Sequence, residues 1–173
     1  GLDTGGMLLW RETPIGPDED AVALSARLAQ MGAELLIETL EGLRAGTLTP
    51  VPQDHAQATL APILRKEDGL IDWTRPAAEI ANRVRGLVPW PGAYTWFRGE
   101  RLHVWRARVA PQNASAPPGT LVDDGRRLGA TCGEGTFLEM LEVQLEGRRR
   151  ISGEAFLNGH RIEKGERLGE RSQ

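Results

Sequence analysis

Two prolines, Pro89 and Pro91, bracket a single tryptophan, and the hydrophobic period of the chain changes at them. Proline has no N–H to donate and its ring clashes with the preceding helical turn, so no helix runs through "VPWPG". Ahead of that stop, Ile80, Val84 and Leu87 recur at helical spacing, with Thr74 as the expected N-cap and Pro76 tolerated in the first turn. Beyond it, "AYTWFRGERLHVWRARV" alternates around Gly99, which predicts a hairpin with Leu102, Val104 and Ala107 on one side. "GTLVDDGRRLGATC" predicts a second hairpin about Asp124-Gly125, and "GTFLEMLEVQLEG" adds another alternating strand. Short strands at this close spacing predict a small β-barrel, followed by a short helix in "ISGEAFLNGH" capped by Ser152.

The first part of the chain reads differently. "GMLLWRETPI" (6–15) is expected to be a strand. Leu24, Leu28, Met31, Leu35, Leu36, Leu40 and Leu43 then follow at steps of three and four or side by side, which makes one helical apolar face. Asp18, Glu19 and Asp20 suit the positive end of the helix dipole, Gly32 is expected to split the stretch into two helices, and Gly46 suits its stop. Residues 47–69 hold three prolines and no sustained period, as a linker does. The expected fold class is therefore α/β plus β. Residues 1–47 would be part of an α/β domain, 48–72 a linker, and 73–173 a barrel domain with flanking helices.

Composition narrows the function. No apolar run approaches the roughly 20 residues that span a bilayer, and no basic-then-apolar leader is present, so membrane and secretory roles are not expected. One cysteine, Cys132, cannot form an internal disulfide and reads as a buried small hydrophobe in a reducing, cytoplasmic compartment. His55 has no partner at metal-ligand spacing, so no metal is expected. Charge divides unevenly. Residues 1–72 carry 5 Lys and Arg against 12 Asp and Glu, and residues 73–173 carry 16 against 12. The second segment is thus positive by four, which raises the prospect of a polyanionic partner.

The stretches "GLDTGGMLLW", "APILRKEDGLIDWTRPAAEIANRVRGLVPWPGAY", "PGTL" and "ISGEAFLNGHRIEKGERLG" together resemble the methionyl-tRNA formyltransferase family, in order and over essentially the whole chain. The resemblance implies a Rossmann-like domain that binds 10-formyltetrahydrofolate, a linker, and an OB-like C-terminal domain. It also implies formyl transfer to the α-amine of methionine on initiator tRNA. The family's catalysis uses an asparagine, a histidine and an aspartate, of which only the aspartate has a match here, Asp3. The Asn-x-His and Ser-Leu-Leu-Pro segments have none, so the chain is expected to be a fragment that begins at the third catalytic group and is inactive alone.

On its own residues Asp3 is a turn former that satisfies nearby backbone N–H groups. The resemblance makes it catalytic and puts Leu2, Thr4 and Gly5 beside it at the folate. It also gives the basic segment a partner. Expected tRNA contacts are Arg65 and Lys66 in the linker, Arg83 and Arg85 on the helix, Arg106 and Arg108 in the hairpin, the run Arg148, Arg149 and Arg150, and Arg161. Trp73, Trp96 and Trp105 offer rings for bases, whereas Trp90, held between prolines, is read as a packing residue. A monomer is expected. The alternatives are a sugar-nucleotide formyltransferase, and an RNA-binding module that performs no chemistry.

Overall fold

The structure, a computed structural model, describes residues 4–111, 115–123 and 126–169 and divides into two compact units, residues 1–63 and 64–173. In the first unit one helix, α1 (Ala21–Ala45), dominates. Asp20 caps it by accepting the Ala23 N–H at 2.9 Å, and Gly46 closes it in the left-handed conformation. The expected break at Gly32 does not occur. An internal glycine costs a helix only about 1 kcal/mol against alanine, and good helix formers continue on both sides. Nor does 6–15 form a strand. Among the described residues its one pairing is a bridge between Met7 and Val51, with both N–H···O bonds at 2.8 Å. Ion pairs hold the following loop along α1 instead: Arg11 to Glu34 and Glu38 at 3.4 and 3.0 Å, and Arg27 to Glu19 at 2.7 Å.

The second unit begins with a 3-10 turn, Lys66–Gly69, and the helix α2 (Ala77–Gly86). Thr74 is not the N-cap: its hydroxyl donates to the Asp72 carboxylate at 2.6 Å. The helix starts three residues later, and the Ala77 N–H is taken up by Thr136 Oγ1 at 2.8 Å. α2 ends before the prolines, as expected, and buries Ala77, Ile80 and Val84.

Six strands follow: β1 (Ala93–Phe97), β2 (Glu100–Ala110), β3 (Leu121–Asp123), β4 (Leu128–Thr131), β5 (Phe137–Leu145) and β6 (Ile151–Ser152). They form one antiparallel sheet in the order β1-β2-β5-β4-β3, with β6 also on β5. No ladder joins β1 to β3 among the described residues, and the sheet is a curled antiparallel half-barrel, consistent with the expected OB-like fold.

The β1–β2 turn is the Gly99 hairpin. Arg98 and Gly99 have φ of 49° and 79°, the pair of left-handed residues that matches strand twist in a two-residue loop. The expected Asp124-Gly125 turn lies outside the described residues, although the strands on either side of it pair, Asp123 opposite Leu128. Ser152 caps the last helix, α3 (Gly153–Gly159), by accepting the Ala155 N–H at 3.1 Å. Inside the curl, Leu102, Val104, Leu138, Met140, Val143, Ile80, Val84 and Phe156 are almost wholly buried. Each such side chain contributes about 1.5–3 kcal/mol of burial free energy. Cys132 is in this core, as expected, and burial pushes its thiol up to about 12.

Candidate nucleic-acid interface

Leu2 and Asp3 lie outside the described residues. Of the loop that follows, Thr4 and Gly5 are exposed, and the Gly5 carbonyl accepts from Gln53 Nε2 at 2.8 Å. The basic residues are better placed for description, and the fold gathers them into groups.

One group surrounds the 3-10 turn. Gly69 packs so tightly against β1 that a Cβ there would lie 2.2 Å from the Gly92 carbonyl oxygen. The turn carrying Arg65 and Lys66 is thereby pinned to the sheet edge, where Ile71 N–H donates to Tyr94 O at 2.8 Å. Asp68 accepts the Arg65 N–H at 2.6 Å, and the Arg83 guanidinium bonds the Asp68 carbonyl. Arg65, Lys66 and Arg83 therefore share one exposed neighbourhood. Arg85, half-buried, bonds Asn82 Oδ1 at 3.1 Å. Both helix arginines also sit in the last turn of α2, where the helix dipole favours cations.

A second group lies where the turns of the sheet meet the segment after α3. Arg98 donates to Glu166 at 2.7 and 3.0 Å and to the Arg161 carbonyl at 2.7 Å. The Arg98 guanidinium holds the Glu166 carboxyl below the usual range. Arg98 lines two open concavities. One, of about 820 Å³, is lined by Phe97, Phe156 and His160 together with Arg148 and Arg149. The other, of about 470 Å³, carries Arg161 and Lys164. Arg148, Arg149, Arg161 and Lys164 are exposed, and none of their side chains has a carboxylate within 4.0 Å among the described residues. Arg98 and Lys164 were missed in the sequence, because their position beside Arg161 depends on a contact across 63 residues.

The remaining arginines behave otherwise. Arg150 leaves its run and lies over the Trp105 ring, 4.2 Å from its centroid, with Glu142 at 3.7 Å. Arg106 pairs with Glu142 at 3.1 Å, and Arg108 pairs bidentately with the buried Glu139 at 2.8 and 3.1 Å. Arg106 and Arg108 are thus matched by close carboxylates where they stand, so phosphates gain least at those two. Trp73 is no ring for a base: it is 6% exposed, and its Nε1 donates to Thr95 Oγ1 at 3.0 Å. Trp90 is 53% exposed and does not pack into the core. Among the described residues no group of three His, Cys, Asp or Glu side chains could hold a metal ion, and no helix is long and apolar enough to cross a membrane.

The half-barrel carries cation-lined concavities, and the sequence identifies its family. Residues 63–161 match the model of the formyl transferase C-terminal domain, and the chain belongs to that family. The methionyl-tRNA formyltransferase of Solibacter usitatus is 57% identical over 98% of this chain and 54% of its own length. That of Koribacter versatilis is 50% identical, again over 98% of this chain and 54% of its own. The chain thus spans about half the length of the curated relatives it matches. In fold it is similar to HypX from Aquifex aeolicus in complex with tetrahydrofolic acid. The TM-score is 0.63 at 16% identity, over 94% of this chain and 29% of that one.

Proposed function

We propose that this chain is the carboxyl-terminal half of a methionyl-tRNA formyltransferase. The observation that carries the reading is the 57% identity over 98% of the chain to an enzyme of that name. In this reading residues 1–47 are the tail of the Rossmann-like catalytic domain, 48–72 the linker, and 73–173 the OB-like domain that holds initiator methionyl-tRNA. The enzyme works as a monomer in the cytoplasm and needs no metal.

The formyl donor is 10-formyltetrahydrofolate, which supplies an activated one-carbon group. The methionyl α-amine forms a bond to the formyl carbon, the carbon's bond to the folate nitrogen breaks, and a proton passes from the amine to that nitrogen. An oxyanion develops on the way and must be stabilised, while a neighbouring group manages the proton. Asp3 is the proton-handling or orienting carboxylate, with Leu2, Thr4 and Gly5 forming its loop against the folate. Arg65, Lys66, Arg83, Arg85, Arg148, Arg149, Arg150 and Arg161 meet the tRNA. Arg148, Arg149 and Arg161 support this most directly, since a cation with no carboxylate within 4.0 Å among the described residues is free to meet a phosphate.

The test is steady-state formyl transfer by the full-length enzyme carrying Asp3→Asn. The amide keeps the shape and removes the charge, so kcat should fall about 10²–10⁴-fold with folding unchanged. A loss below tenfold would return Asp3 to a turn residue. The chain by itself should give no turnover above the uncatalysed background.

A further inference from the structure

The outer face of the β1–β2 hairpin carries planar side chains in an unbroken series. Ala93, Thr95, Phe97, Leu102 and Val104 point into the core and are at most 3% exposed. Strand alternation therefore turns Tyr94, Trp96, Arg101, His103 and Trp105 outward, where all are half-buried. Their rings touch in sequence. Trp96 meets Tyr94 edge to face at 6.3 Å, Tyr94 meets His103 at 5.9 Å, and His103 stacks on Trp105 at 5.4 Å and 13°. The series is held from below and from the side. A Cβ on Gly92 would stand 3.4 Å from both His103 and Trp105, and Trp105 Nε1 donates to Gln144 at 2.9 Å. Gln144 in turn donates to the Arg148 carbonyl at 2.7 Å, which fastens the series to the turn bearing Arg148 and Arg149.

A guanidinium lies at each end. Arg101 sits over Tyr94 at 4.7 Å and Trp96 at 5.5 Å, and Arg150 over Trp105 at 4.2 Å. Rings hold these cations more than carboxylates do. Arg101 stands 4.0 Å from Glu146, and its Nε has no hydrogen-bond partner among the described residues. Arg150 shares Glu142, at 3.7 Å, with the closer Arg106. A guanidinium held over a ring is preordered, has a further face open to another ring, and keeps N–H edges for an anion.

We infer that this face is a stacking platform for unpaired nucleotides of RNA. Bases lie on the guanidinium planes of Arg101 and Arg150 and beside the rings, and phosphates run toward Arg148 and Arg149. Stacking tolerates any base, since each has a π face, so the platform would hold a strand without reading its sequence. An apolar protein segment fits poorly, because docking it would bury two incompletely neutralised cations. The inference rests on the RNA reading above.

The experiment compares two short unstructured RNA strands of equal length, one with bases and one abasic, titrated against this 173-residue chain at several salt concentrations. The strand with bases should bind about tenfold tighter. Trp105→Leu should remove most of that difference and leave the abasic affinity in place, with a circular dichroism spectrum and melting transition like the parent's showing that the variant is folded. Trp105→Phe, which keeps a ring, should preserve it. Equal binding of both strands to the parent chain, or a difference that survives Trp105→Leu, would overturn the platform while leaving the RNA reading intact. Absence of salt-sensitive binding to either strand would remove the RNA reading and the platform with it. If Trp105→Leu abolished self-association in sedimentation but left the base-dependent difference, the face would belong to a protein contact and the platform would be overturned.

Discussion

Replacing Arg148 and Arg149 together with alanine should flatten the salt dependence of tRNA binding by a calculable amount. Both side chains are exposed, and neither has an acidic partner among the described residues. Removing them leaves no orphaned carboxylate, and the fold should be undisturbed. If each meets one phosphate, each releases counterions and contributes about 0.7–0.9 to the slope of log affinity against log salt. Two lost contacts take about 1.4–1.8 from that slope. Between about 50 and 200 mM salt, the parent should then lose roughly tenfold more affinity than the variant does. The assay is a fluorescence titration of labelled initiator tRNA at four or more salt concentrations. The control is Arg106→Ala with Arg108→Ala. Those side chains are already matched by Glu142 and Glu139 at 3.1 and 2.8 Å, so the slope should change by much less than one. Parallel slopes for the parent and the Arg148/Arg149 variant would refute the assignment, and so would a control that flattens the slope equally.

Phe156→Ala removes a side chain 1% exposed that stacks on His160 at 4.3 Å and meets Phe97 at 5.1 Å, and denaturant unfolding should show a loss of about 3–5 kcal/mol. Glu166 is held below the ordinary carboxylate range by Arg98, so its contribution to stability is present above that range and is lost as pH falls through the folded value. Glu166→Gln should therefore lower Tm at neutral pH, with the gap from the parent closing below about pH 4. Cys132, buried and with its thiol pushed up to about 12, should resist thiol reagents in native buffer at pH 8 and react fully once the chain is unfolded.

Local signals carried well from sequence to structure. The Asp20 and Gly46 ends of α1, the Gly99 hairpin and the Ser152 cap each depend on a few adjacent residues, and each is found where the chain predicts it. The misreading at Thr74 has a different cause, a partner distant in the chain. Thr74 loses the cap position because Thr136, 59 residues on from Ala77, supplies the oxygen to the helix start. Residues 6–15 alternate too little and find only Val51 to pair with. The register also slips between Val104 and Arg106, leaving Trp105 outside the ladder and setting Arg106 opposite Glu142. No inspection of "HVWRARV" would reveal that slip. The candidate interface was half legible for the same reason: composition exposed the excess of cations, but not which of them an acid would claim.

That division follows from where each arginine sits. On β2, outward positions face β5 across about 5 Å, and glutamates on β5 lie opposite Arg106 and Arg108, so those charges are spent on cross-strand pairs that hold the sheet. Turns have no facing strand. Arg148 and Arg149 follow β5, and Arg161 and Lys164 follow α3, and among the described residues no carboxylate stands within 4.0 Å of these side chains. Four of the second segment's cations, Arg148, Arg149, Arg161 and Lys164, therefore line the two concavities that Arg98 also lines. Phosphates there would be met by cations that need not first abandon a partner. The desolvation and pairing already settled on the sheet face would be left undisturbed, and tRNA could bind and leave without loosening the fold.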